Sequence, residues 1–554
     1  MRATLLCLAI FAAAWLEFFI FPGHTYLEAD TQLTVPMLER IDSPGLLSRD
    51  LVATNPSLSL TAYDEVTLLL HQAGRQSFRR ALLGQQFVFR MAALTGIFLL
   101  ARATGLGQLF ALIVAAILNL GATLAGPAVF LTDREPLPGA FAFSLVLLAM
   151  GLLAHDRPVA AGVAGGAAFL YDPMIALPFW GVSLAAVLFD PKVRRIVRPM
   201  LPIFLVFLLL LANLAQLQPG ASAESLFTRT PLPLTIFQKT YAPYIFVSSW
   251  PKGELYQFAA LFVFALWAAA RVWAVLNHSS RWLLLGTGLC GILLAMVSYT
   301  LIDLNHFAWA ARLQPARVLL FTVASSSLLF ALAGMRAILR RYPWEAIGWF
   351  ALLFMLPASQ GIFDLLRISN GQKLSQFAIT LALAALLTAL LIRFASGTAR
   401  YLALAAPVAA CFALAHIPGL MPAQIGYRPS ITEIADWADG STWGSAVFLF
   451  PDAGHAGWPG VFRAQSRHAL WADWKSAQGV AFSENAAMEW QQRWRQTMQK
   501  GFSTERLESF LPLPIDYYVV RRENQLNSTR SVFSNRDFVV YDAQDLRNAR
   551  KPLH

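Results

Sequence analysis

Thirteen apolar stretches occupy most of the first 418 residues of this 554-residue chain. They run over about 3–21, 82–101, 107–126, 138–154, 158–171, 174–189, 200–217, 256–276, 282–302, 318–334, 346–360, 376–392 and 402–418. A run of roughly 17–25 apolar residues crosses a hydrocarbon core of about 30 Å as a helix. A helix is demanded there because lipid offers the backbone no hydrogen-bond partners. The spacing therefore predicts a mainly α, polytopic bundle of about thirteen transmembrane helices, and it excludes an ordinary water-soluble enzyme. Composition agrees: 14% of residues are charged, against about a quarter in soluble domains.

Charge gathers at the far end. Residues 420–554 hold 15 Lys+Arg and 14 Asp+Glu, which leaves 28 and 18 for residues 1–419. Two domains are expected: a transmembrane domain over 1–419, with a long outer loop at 22–81, and a small soluble α/β or α+β domain over 420–554. Within that tail Val447–Pro451, Tyr517–Val520 and Asp537–Tyr541 read as strands, and Asn485–Gln499 as a helix with Trp490 and Trp494 on one face. Cys7, Cys290 and Cys411 all lie in apolar runs and offer neither a disulfide framework nor a thiolate metal site. The first span reads as a retained anchor, since its apolar run continues past Ala12-Ala13-Ala14 to Phe21.

Basic residues orient the bundle. With the N-terminus inside, the inner loops collect the clusters Lys192/Arg194/Arg195/Arg198 and Arg336/Arg340/Arg341, together with Arg102, Arg157, Arg271, Arg281, Arg393 and Arg400. An odd number of spans then carries the tail to the opposite side, the periplasm or its equivalent. The net charge of +11 is thus a topology signal. The surroundings it implies are membrane lipids and no nucleic acid. Acids show the reverse bias: 14 of the 18 in the membrane part fall on the outer side, where the chemistry is therefore sought.

The long outer loop opens Gly23-His24-Thr25-Tyr26-Leu27-Glu28-Ala29-Asp30. Two carboxylates two residues apart at the bilayer surface suit a general base for a hydroxyl, or a cation ligand; a solvated loop start or helix N-cap is the plainer role. A second outer loop repeats the pattern as Thr132-Asp133-Arg134-Glu135-Pro136. Arg134 between two acids also reads as a salt bridge. A third outer segment, Ile302 to Arg317, holds His306, Arg312 and Arg317; guanidinium forks match phosphate oxygens, and they also anchor helices at headgroups. The loop 218–255 mixes Arg229, Lys239, Tyr241, Tyr244, Trp250 and Lys252, an interface-like composition that also suits stacking on sugars. Glu17 and Arg90, ionisable residues inside spans, read as a structural ion pair. In the tail, Arg463, Arg467, His468, Asp473 and Lys475 form a dense polar cluster, either a lip over the membrane site or a loop held by salt bridges. No G-x-S-x-G, P-loop or H-E-x-x-H is present.

With these residues in place the chain resembles the GT-C superfamily of polytopic glycosyltransferases. The likeness covers the membrane part: a first helix, a long outer loop opening on Glu28-Ala29-Asp30, and a short acidic loop at Asp133-Arg134-Glu135. The layout of spans and tail is similar to the oligosaccharyltransferase catalytic-subunit branch. Closer still is a group of uncharacterised bacterial GT-C-like membrane proteins, through Glu135 to Tyr171-Asp172-Pro173, Leu313-Gln314-Pro315-Ala316-Arg317, Phe448-Leu449-Phe450-Pro451, Phe462-Arg463, Ser466-Arg467 and Asp473-Trp474-Lys475. Two departures stand out: the tail lacks a W-W-D-type signature, and Asp172-Pro173 stands where relatives often have His-Pro.

The resemblance implies transfer of a sugar from a polyprenyl-phosphate-linked donor to a glycan, lipid or protein acceptor, outside a bacterial inner membrane. Asp30, or Glu28, would be the base. Arg312 and Arg317, with His306 and Arg134, would hold substrate. Asp133 and Glu135 would help bind a divalent cation, Mg or Mn, if one is used. A lipid-linked glycan ligase or polymerase of another fold, a transporter and a non-catalytic scaffold are the alternatives. Paired outer acids favour the first reading, and the lack of clear repeats and midplane charge chains disfavours transport.

Overall fold

The structure is a computed structural model and describes residues 2–56, 60–218, 227–355, 373–394, 409, 429–526 and 529–548. It opens with α1 (Arg2–Phe19), and the first long loop carries α2 (Thr31–Asp42), α3 (Leu51–Thr54) and α4 (Tyr63–Gly74). The bundle continues through α5 (Phe78–Ala103), α6 (Gln108–Asn119), α7 (Pro138–Ala154), α8 (Pro158–Tyr171), α9 (Pro173–Phe189), α10 (Pro191–Val197) and α11 (Leu201–Leu217). A second long loop bears α12 (Leu232–Tyr241). After it come α13 (Lys252–Val272), α14 (His278–Ser298), the short α15 (Ala308–Leu313), α16 (Leu319–Leu339), α17 (Pro343–Met355) and a helix over Lys373–Phe394.

Twelve of the thirteen apolar stretches carry a helix. The stretch 402–418, apart from residue 409, lies outside the described residues, and so do Cys411 and Arg400. Among the described residues six helices are long and apolar enough to cross a membrane, and six further apolar helices are shorter. The chain is a multi-pass helical membrane protein. The segment 22–81 is more than a loop, since three helices fold within it.

Helix starts follow local chemistry. Asp172 caps α9, accepting from the Ile175 N–H at 3.1 Å with Pro173 in the first turn, and Asn277 caps α14 through Ser280. Helix α16 is buried along its apolar length and forms the centre of the bundle, whereas Leu211 is the only buried residue of α11, which turns its leucines outward. Helices α5 and α7 cross with Gly96 against Gly151; a Cβ on Gly96 would come within 2.3 Å of the Leu147 backbone. Small residues at such a crossing let the helix backbones approach closely.

A short antiparallel pair, β1 (Thr123–Leu124) and β2 (Val129–Phe130), follows α6, and the tail is an α/β domain whose five-stranded sheet runs in the order Ala469–Leu470 (β4), Val447–Leu449 (β3), Tyr517–Arg521 (β5), Phe538–Asp542 (β7) and Phe533–Ser534 (β6). Strand β3 (Val447–Leu449) runs parallel to β4 (Ala469–Leu470) and β5 (Tyr517–Arg521), while β7 (Phe538–Asp542) is antiparallel to β5 and pairs with β6 (Phe533–Ser534). The central strands read VFL, YYVV and FVVY and are buried throughout, as strands covered on both faces must be. Strand β3 stops short of the expected Pro451, which has no N–H to add to a ladder. The tail sits on the loops of the membrane part: Trp490, from helix Glu484–Thr497, packs its ring against Phe237 and Tyr241 of α12, and the Gln238 side chain donates to the Ala481 carbonyl at 2.8 Å.

Candidate functional site

The two acidic loops come together, but the second serves the first. Glu135 reaches into the turn that precedes α2, where Oε1 accepts the N–H groups of Glu28 (2.7 Å) and Ala29 (2.6 Å) and Oε2 accepts that of Thr31 (2.9 Å). A carboxylate at a helix N-terminus meets free N–H groups and the positive end of the helix dipole. The second loop also binds the first through its backbone and through Arg134: Thr25 N–H donates to the Arg134 carbonyl at 2.7 Å, and Arg134 Nε donates to the Pro22 carbonyl at 2.9 Å.

Both Glu135 oxygens are engaged by backbone N–H groups, and Asp133 Oδ1 accepts the Glu135 N–H at 3.0 Å, so the two acids expected to help bind a cation are here tied into the loops. Among the described residues no group of three or more His, Cys, Asp or Glu is placed to hold a metal. Arg134, expected to hold substrate, ties the two loops together in this structure.

Because Glu135 caps α2 from outside, the residue at the N-cap position is released. Asp30 occupies that position and makes no side-chain capping bond. Its carboxylate is instead half exposed and accepts from Lys475 Nζ at 2.7 Å; the same ammonium donates to Gln478 Oε1 at 2.7 Å. Leu27, just before the acids, is buried with φ of 62°, and is held there by bonds between its backbone and the side chains of Thr31 and Gln32. A bulky residue in the left-handed region stores strain of the kind that gathers at functional sites. Burial pushes the Glu28 carboxyl up to about 7, with Arg134 opposing and Glu135 adding to the rise. Asp133 is also raised to about 7, chiefly by burial.

Asp133 lines an open cavity between α5, α6, α7 and α16. Toward the tail-facing end the walls are polar, with Glu17, Gln86, Arg90, Asn119, Asp133 and Arg317. Deeper, they are Ile97, Leu118, Leu147, Leu320 and Ala324. Gln86 and Ile97 are separated by about 16 Å of helix rise, so the cavity changes from polar to apolar over the length of a short amphiphile. Arg317 stands at the head of α16. Its Nη1 lies 3.6 Å from Asp172 Oδ2, and it rests over the start of α7, where a Cβ on Gly139 would come within 2.7 Å of Nη2. Tyr244 lies within electrostatic reach of both Asp30 and Arg317: burial and Asp30 push its phenol up while Arg317 pulls it down.

The other anticipated residues serve elsewhere. His306, at φ of 56°, bonds through Nδ1 to the Ile302 carbonyl, and its own carbonyl accepts the Thr230 N–H, so it shapes the loop that carries it. Arg312 donates to the Phe482 carbonyl of the tail at 3.2 Å. Arg90 bonds the backbone carbonyls of Asp133 (2.7 Å) and Glu17 (3.4 Å); the Glu17 carboxylate accepts from Asn119. The expected Glu17–Arg90 pair is thus a long-range attraction and not a bridge. The tail cluster splits by role: Arg463 is buried between Asp50 (3.7 Å) and Asp473 (3.0 Å), Arg467 pairs with Asp439, and Lys475 enters the site. Gln86, Asn119 and the part of Asp172 as ion-pair partner of Arg317 were not anticipated, since uncharged amides inside spans give no signal in hydropathy.

No protein-family model matches the chain, and no curated protein matches it in sequence. Among solved structures, the apo oligosaccharyltransferase of Archaeoglobus fulgidus is similar, with 9% identity, a TM-score of 0.43 and coverage of 94% of this chain and 69% of its own. The same organism's AglB in complex with an inhibitory peptide and a dolichol-phosphate gives 11%, 0.42, 94% and 69%. ArnT from Cupriavidus metallidurans bound to undecaprenyl phosphate gives 14%, 0.40, 98% and 98%. Likeness at this level transfers no residue roles.

Proposed function

We propose that this protein is a membrane glycosyltransferase that moves a sugar from a polyprenyl-phosphate-linked donor to an acceptor hydroxyl. The reaction would take place at the outer face of a bacterial inner membrane, with the tail on that side. One observation carries this reading: in the paired acidic loops Glu135 relieves Asp30 of capping and leaves it half exposed, while its neighbour Asp133 lines a cavity whose wall also carries Arg317. A polyprenyl-phosphate sugar has the matching character, with an apolar chain, a phosphate and a polyhydroxyl head.

In the proposed step the Asp30 carboxylate takes the proton of the acceptor hydroxyl as its oxygen bonds to the anomeric carbon. The bond from that carbon to the phosphate oxygen breaks, and the polyprenyl phosphate leaves with the electron pair. Arg317 faces the growing phosphate charge, where a preoriented cation is most effective. Lys475 aims Asp30, and Asp172 holds Arg317. Glu28 is the second carboxylate within the same turn.

The test uses the full-length protein in nanodiscs with an undecaprenyl-phosphate hexose and a membrane glycan extract, following release of undecaprenyl phosphate. Asp30→Asn is expected to lower release by at least about 100-fold, the loss typical of a missing general base, while insertion and melting are preserved. Full activity of Asp30→Asn would remove the base assignment. A wild-type protein that neither binds undecaprenyl phosphate nor releases it would overturn the whole reading.

A further inference from the structure

Helix α12 has two faces with different neighbours. At about 100° per residue, Leu234, Phe237 and Tyr241 fall on one side, where Trp490 of the tail packs against the two rings. Leu232, Ile236 and Lys239 fall on the opposite side, and Leu232 and Ile236 are 71% and 57% exposed. Single apolar residues on a surface are ordinary, so the height of the helix decides what these two mean. Hydrogen bonds on both sides of α12 fix that height. Ahead of it the Thr230 N–H donates to the His306 carbonyl at 2.7 Å, and the Ala308 N–H donates to the Thr228 carbonyl at 3.0 Å. Beyond it the Val247 and Ser248 N–H groups donate to the Asp303 carboxylate at 3.2 and 3.1 Å. These partners stand at the end of the helical run His278–Leu304, which is long and apolar enough to cross a membrane. In the chain α12 also lies between two more such runs, one ending at Leu217 and one beginning at Lys252. Leu217 and Tyr256, at those two ends, are 82% and 73% exposed.

We propose that α12 lies in the headgroup layer of the membrane face on which the tail sits, with Leu232 and Ile236 in the acyl boundary and Arg229, Lys239 and Lys252 at lipid phosphates. Charge selects this partner. No Asp or Glu occurs in residues 227–253, while Arg229, Lys239 and Lys252 are all exposed. Cations beside a short apolar stripe complement an anionic lipid surface, and the exposed Tyr256 ring belongs to the same layer. A protein partner fits less well, since a stable interface buries about 800 Å² on each side, far more than two aliphatic side chains supply. The inference needs only a multi-pass membrane protein and stands apart from the transfer reading. It gives the tail a support outside the chain: Trp490 and the Ala481 carbonyl rest on the other face of α12, so the lipid that holds α12 also seats the part of the tail that follows Lys475.

The experiment places nitroxide labels singly through Leu232→Cys, Ile236→Cys and, as an exposed reference on the tail, Gln492→Cys. It uses the full-length chain in nanodiscs, with Cys7, Cys290 and Cys411 replaced by Ala. Collision with oxygen, which concentrates in lipid, is measured against collision with a water-soluble nickel chelate. The oxygen-to-nickel ratio is expected to be higher at 232 and 236 than at 492. Labels at 232 and 236 that meet the chelate as freely as the one at 492 would put this face in water and overturn the inference. Labels shielded from both reagents would put a protein partner there and overturn it equally. Lys239→Gln is expected to speed hydrogen exchange across Leu232–Tyr241 by about fivefold in phosphatidylglycerol discs, the share of one cation at an anionic surface, and to leave it unchanged in phosphatidylcholine. An equal effect in both lipids would refute the contact of Lys239 with phosphate.

Discussion

At the scale of single residues, four carboxyl groups within one pair of loops do different work because their surroundings differ. Glu135 is spent on three backbone N–H groups, Asp133 is buried at the cavity wall, and Asp30 is exposed against a lysine. Glu28 is half-buried and titrates near 7. Its neutral form prevails below that pH and its anion above it, so transfer is expected to rise between about pH 6 and 8 if the anion beside Arg134 assists the site. Glu28→Gln should flatten that rise and leave a residual rate without a step near 7; an unchanged profile would assign the rise to Asp133. The sequence made all four acids visible but could not rank them. Whether a carboxylate caps a helix or faces a substrate is decided by backbone N–H directions, which residue type does not record.

Among elements, α2 shows how position and role separate. Its N-cap residue caps nothing, because the cap arrives from a loop more than a hundred residues later in the chain. Glu135→Ala is expected to lower melting, leaving three N–H groups at a buried helix start without acceptors at about 1–3 kcal/mol each. It should also raise hydrogen exchange across Glu28–Thr31 and reduce transfer with Asp30 still present. Helix α4 carries the opposite liability. Burial, and then the neighbouring Glu65 carboxyl, raise Asp64 to about 8. The folded protein holds that proton where the unfolded chain has lost it, so stability falls as pH climbs from about 4 toward 8. Asp64→Asn should raise the melting temperature by about 2–4 °C at pH 8 and little at pH 4, as differential scanning would show. Elements of this kind were legible where one physical rule dominated. Apolar length marked twelve helices, six of them long enough to cross a membrane, and continuous β-branched and aromatic runs marked β5 and β7. The helices within 22–81 were missed because they are short, polar and stabilised by the tail and the second loop.

The whole molecule is held as one unit by charges that are expensive to bury. Arg463 from the tail lies between Asp50 of the first loop and Asp473 beside Lys475, and its Nη2 donates to the Gln32 carbonyl of α2 at 3.0 Å. Removing one member of a buried charge group typically costs about 3–5 kcal/mol. Arg463→Ala is therefore expected to loosen the tail, seen as faster limited proteolysis, and to lower transfer through displacement of Lys475. Unchanged proteolysis would show that Trp490 and α12 suffice for docking. None of this interface could be read along the chain. Arg463, Asp473 and Lys475 were visible as a polar cluster, but Asp50, Gln32 and Asp30, which Arg463 and Lys475 engage across the interface, lie more than 400 residues away, and nothing in a local pattern encodes such a distance.

The pairing of Asp30 with Lys475 has a consequence in time. The two residues are 445 positions apart, and a ribosome adding about 5–20 residues per second needs roughly 20–90 s to travel between them. Throughout that interval the first acidic turn has neither its lysine nor the surface that shelters it. The enzyme proposed here is thus incomplete while its first loop is being inserted, and its acidic turn is assembled only when the stretch carrying Lys475 has been made and has settled onto that loop.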